Sequence, residues 1–157
     1  MTERDDEPTT WSTPAVIGGR GGLPRHSPPV KAPLTVVTVP AQLRFIEIVR
    51  RSAAIALEGA GGDAGCARDV ALAVDELASI VILSAATPSH LRLTVCHDEA
   101  HAYVRMEAPL SADGFHPQVA ELTQLLLDAT VDVYDVSTNG RELVGTLQRR
   151  LCSGPSG

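Results

Sequence analysis

The sequence predicts an α+β domain, a two-layer sandwich of about five strands and three helices. Three observations carry this expectation. One is a nearly all-apolar stretch, residues 67–86, in which Val70, Val74, Leu77 and Val81 recur at helical spacing. Another is a set of short β-branched or alternating runs. The third is their order, βααββαββ, with strands adjacent in pairs and helices grouped between them, which indicates an antiparallel or mixed sheet with helices on one face. A chain of 157 residues with 44% hydrophobic content suits one such domain. Aromatic residues are only 3%, so the core must be built from Val, Leu, Ile and Ala.

Six of the eleven prolines lie before Leu34, with Gly18, Gly19, Gly21 and Gly22 among them. Residues 1–32 therefore read as a disordered tail, residues 33–151 as the domain, and residues 152–157 as a disordered end. Residues 34–39 (LTVVTV) form the first strand, and Pro40 suits the first turn of a helix over 41–57. Gly59, Gly61 and Gly62 end that helix. Asp63 is placed to cap the central helix, and Pro88 closes it. Residues 90–97 (HLRLTVCH) alternate as a strand, turn at Asp98, Glu99 and Ala100, and return over 102–107. A loop over 109–117 leads to a short amphipathic helix, 119–128. Residues 131–136 and 142–150 form a closing hairpin through Asn139-Gly140, the strongest turn signal in the chain.

A net charge of −6 argues against direct nucleic-acid binding, which needs clustered Lys and Arg. Cys66, Cys96 and Cys152 are far apart and form no CxxC pair, so they read as reduced thiols in a cytoplasmic protein. The N-terminus is acidic and has no apolar signal-peptide core, and the central run is too short for a membrane span. Cys96, His97 and His101 flank one turn but lack a fourth ligand, so no metal site is expected. No G-x-S-x-G elbow accompanies the Ser, His and Asp residues, and hydrolase chemistry is unsupported.

One interruption in the central helix matters most: Asp75 and Glu76, adjacent and so about 100° apart around the axis. Glu76 falls between Leu72, Ala73, Ile80 and Leu83, where a carboxylate is costly unless it lines a pocket or finds a partner.

The run TVPAQLRFIEIVR, with Arg50 ten positions after Pro40, followed by LAVDELASIVILSA, resembles the anti-sigma factors of the RsbW type, which have the GHKL (histidine-kinase-like ATPase) fold. The resemblance covers residues 36–151 and makes Glu76 the glutamate of the family's nucleotide-binding helix. It implies sequestration of an alternative sigma factor of RNA polymerase, homodimerisation, and release by an anti-anti-sigma (STAS-domain) partner. Arg44, Glu47, Arg50 and Arg51, on the first helix, are the implied partner-binding residues.

The departures bear on ATP and Mg²⁺. The family's magnesium-holding asparagine, four residues after the glutamate, is Ile80 here, with no ligand atom for a hard cation. The Asp-x-Gly-x-Gly segment after the second strand of the hairpin is replaced by Glu107-Ala108-Pro109-Leu110, a carboxylate without the glycines. Only Asp113-Gly114 survives of the glycine-rich lid. Glu76 keeps the chemistry of a general base, and an active ATP-dependent serine-protein kinase acting on the STAS partner is the alternative activity. Phosphoryl transfer depends almost wholly on positioning and charge neutralisation, so the expectation is binding without catalysis, around a degenerate nucleotide site of Glu76, Ile80, Glu107, Asp113 and Gly114.

Overall fold

The computed structural model describes residues 34–112 and 118–152. Asp113, Gly114 and the N-terminal tail expected over 1–32 lie outside them. The elements run β1 (Thr35–Pro40), a 3-10 turn (Leu43–Phe45), α1 (Ile46–Gly59), α2 (Ala64–Ser84), β2 (His90–His97), β3 (His101–Pro109), α3 (Glu121–Thr130), β4 (Val133–Asn139) and β5 (Glu142–Arg150). All strand pairs are antiparallel, and the sheet order is β1-β2-β3-β5-β4. The expected α+β class and element order stand. The first helix starts later than expected because a 3-10 turn occupies residues 43–45, and α3 and β4 each begin two residues further on.

Alternation decides which side of β2 and β3 is buried. Val37, Leu93, Met106, Gly145 and Val136 form one row across the five strands. The helices cover this side, and its large side chains are enclosed. The neighbouring row, Thr38, Arg92, Glu107, Val144 and Ser137, is on the opposite side of the sheet. Helix α2 crosses β3 and β5, and Gly145 lets it approach: a Cβ there would meet Val81 Cγ2 at 3.4 Å and Leu77 Cβ at 3.8 Å. Asp63 caps α2 as expected, its Oδ1 accepting from the Cys66 N–H at 2.7 Å.

Two details differ from the sequence reading. Leu72 and Leu83 reach solvent, so α2 is less enclosed than its composition suggests. In the closing hairpin Asn139 stays in the ladder opposite Glu142, and the two turn residues are Gly140 and Arg141. Only Gly140 has positive φ, +62°, so the turn requires one glycine and not the Asn-Gly pair.

The β2–β3 turn is held by Asp98. Its Oδ1 accepts from the N–H groups of Ala100 and His101 at 2.8 and 2.7 Å, and its Oδ2 accepts from the Tyr103 hydroxyl at 2.8 Å. Burial pushes the Tyr103 hydroxyl up, and the bond to Asp98 and that residue's charge take it to about 12. Desolvation would raise the Asp98 carboxyl, but the hydrogen bonds and His101 together hold it below the usual value. The signs follow. Asp98 contributes stability above the unfolded carboxylate range, which is lost as pH falls below about 4. Tyr103 contributes stability that is lost as pH rises from about 10 toward its folded value. Asp98→Ala should cost about 1–2 kcal/mol in urea unfolding. In an alkaline absorbance titration it should also return one tyrosine toward about 10.

Candidate functional site

Glu76 lies half-buried on the flank of α2 that meets α3, and its Oε2 accepts from the Thr123 hydroxyl at 3.0 Å. Thr123 arrives on the first turn of α3, 47 residues along the chain, and no sequence pattern announced it. The pairing gives the carboxylate the partner that its surroundings demand. Asp75 is also half-buried, and its carbonyl accepts from the Ser79 hydroxyl. Ile80, one turn beyond Glu76, packs against the core as a partly buried apolar residue. Among the described residues Glu76 thus meets a neutral hydroxyl on one side and a hydrocarbon at Ile80, which has no ligand atom for a hard cation.

Glu107 is elsewhere. Ala102, Val104, Met106 and Ala108 of β3 face the helices, so Glu107 points to the other side of the sheet. There the Arg105 Nε–H donates to its Oε2 at 2.7 Å. The ladder holds this register as far as Pro109. Beyond it, the Ala86 N–H donates to the Pro109 carbonyl at 2.8 Å and the Ser111 N–H to the Ser84 carbonyl at 3.0 Å. The exit of β3 is thereby tied to the end of α2. Glu107 is therefore on the opposite side of the sheet from α2 and Glu76, and Asp113 and Gly114, the other expected members of that site, lie outside the described residues. Around Glu76 the described residues bring the Thr123 hydroxyl and Ile80, one turn along α2. Among the described residues no group of three or more His, Cys, Asp or Glu is arranged to hold a metal.

The partner-binding candidates are on the outer side of the first helix. Ile48, Arg51 and Ile55 follow one another on α1 at spacings of three and four, a single row along the helix, and Arg44 precedes them in the 3-10 turn. Ile48 is 49% exposed and Ile55 68%. Glu47 pairs with Arg51 at 2.7 Å, across one turn, and not with Arg50. Arg50 is half-buried and has no ion pair among the described residues. The Arg44 guanidinium lies 5.0 Å from the Phe45 ring centroid. The exposed isoleucines between these charges were not among the expected residues. Their signal was the i, i+7 spacing on the polar side of the helix. A second exposed apolar pair, Leu122 and Leu125, is on α3.

No family model matches the chain, and no curated protein matches it. Among the described residues no helix is long and apolar enough to cross a membrane.

Proposed function

We propose that this chain is an anti-sigma factor of the RsbW type with the GHKL fold, and that it sequesters an alternative sigma factor by direct contact through α1. The observation that carries this reading is the row Ile48, Arg51, Ile55 on α1 with Arg44 in the turn before it, in which two exposed β-branched side chains alternate with guanidinium groups. Large apolar side chains and arginines are what interface anchors are made of, and a lone solvated helix has no need of them. The resemblance assigns partner contact to the same helix. The protein acts in the cytoplasm as a homodimer, for which Leu122 and Leu125 of α3 offer a further apolar surface. Release comes from a STAS-domain partner competing for overlapping surface.

The tagged chain should co-purify with a sigma factor from its own cells in the absence of ATP. Recovery of none overturns the reading. The kinase alternative makes a different forecast. A fluorescent ATP analogue should show no magnesium-dependent binding up to millimolar concentration, because nothing described beside Glu76 replaces the ligand missing at Ile80. Phosphate transfer to a serine of the STAS partner, lost in Glu76→Ala, would establish the kinase instead.

A further inference from the structure

The end of β5 meets the start of α2 at a group of residues that partner binding does not use. The Asp63 N–H donates to the Cys152 carbonyl at 3.1 Å, while Asp63 Oδ1 accepts from the Cys66 N–H at 2.7 Å. One residue therefore holds both cysteines. The Cys66 thiol donates to the Arg150 carbonyl at 3.5 Å, and the Cys152 thiol reaches the same oxygen at 3.9 Å. The two sulfurs can be no further apart than those distances laid end to end. Cys66 is 2% exposed, whereas Cys152 is open to solvent.

Arg149, the residue before that shared carbonyl, is held by two acids. It bonds Asp69 Oδ2 at 3.0 Å and faces Asp132 Oδ1 at 3.8 Å. Its Nε is buried with no hydrogen-bond acceptor among the described residues. An exposed thiol is open to oxidants, and a second thiol close by resolves the oxidised sulfur. Cys96 differs: it is on the sheet, and burial pushes its thiol up.

We propose that Cys152 and Cys66 form a peroxide-sensitive dithiol, which closes to an intramolecular disulfide joining the end of β5 to the first turn of α2. The Cys152 thiolate attacks one peroxide oxygen, the O–O bond breaks, and the departing hydroxide takes up a proton as water. The sulfur is left as a sulfenic acid. The Cys66 thiolate attacks that sulfur, the S–O bond breaks, and a second water leaves. Two thiols lose two electrons and the peroxide gains them. In a reducing compartment such a bond is transient, and exchange with a small thiol reopens it. The closed bond spans most of the domain, so it restricts the unfolded chain and raises the melting temperature. The inference is independent of the sigma-factor reading.

The test treats the full chain with dilute hydrogen peroxide, alkylates the remaining thiols and maps peptides without reduction. The expected product is a Cys66–Cys152 crosslink with Cys96 alkylated, a mass lower by two hydrogens, and a rise in melting temperature that dithiothreitol reverses. Cys66→Ser should halt at a Cys152 sulfenic acid that dimedone traps. Cys152→Ser, a change at an exposed position, should give neither crosslink nor dimedone adduct, and it decides the matter even where the Cys66 variant does not fold. Wild-type chain that yields no such crosslink, only intermolecular disulfides, or a bond to Cys96 overturns the proposal.

Discussion

Replacing Ile48 and Ile55 together with aspartate should weaken sigma-factor capture by about 1,000-fold, the loss of two anchors at about 2 kcal/mol each. Both side chains project from the outer row of α1, and Val49, Ala53, Ala56 and Leu57 hold the opposite side of that helix in the core. The change therefore removes contact surface without touching packing, and the melting temperature should hardly move. The charges of the row contribute differently. Arg51→Ala breaks an exposed pair with Glu47, worth about 0.3–0.5 kcal/mol to the folded chain. Its larger effect should fall on the association rate, and it should shrink as salt is added. Leu122→Asp with Leu125→Asp is the control. Those residues are exposed on α3, so capture should persist while the dimer, measured by sedimentation, dissociates. If the α1 double variant captures sigma factor as the wild type does, α1 is not the docking surface.

Some of this molecule was legible in its sequence because local physics wrote it there. Alternation in HLRLTVCH set the buried side of β2, and Asp63 before an apolar run marked a helix start; both hold. What could not be read depends on where distant elements come to rest. The partner of Glu76 is a threonine that becomes its neighbour only when α3 packs on α2. The position of Glu107 has another cause. A motif position implies a loop conformation, but strand parity is enforced by Met106 and Ala108 entering the core on either side. Hydrophobic burial fixes that parity, and one charged residue between two buried ones follows it. Leu83 shows the converse: an apolar residue on an apolar helix, left exposed because no element among the described residues covers it. The nearness of Cys66 and Cys152 had no local signal, since antiparallel return of β5 to the start of α2 creates it.

The largest stability effect should come from the crossing of α2 over β5. Leu77 is fully enclosed, and Leu77→Ala should cost about 3–5 kcal/mol, because the sheet beneath cannot collapse into the space. That is a large share of the roughly 5–15 kcal/mol that holds an ordinary domain together. Gly145 is the other half of the contact. Gly145→Ala adds a Cβ at ordinary packing distance from Val81 and Leu77, so it should stay within about 0.5 kcal/mol of wild type. Gly145→Val drives two methyl groups toward α2 and should cost about 1–3 kcal/mol. The decisive variant combines Leu77→Ala with Gly145→Val. The space opened on the helix lies above the methyls added on the strand, so the two losses should fall short of additive by about 1 kcal/mol. Urea unfolding of the four proteins measures this coupling. Simple additivity would mean that α2 does not cross the sheet at Gly145, and the way the helix layer is seated on the strands would have to be redrawn.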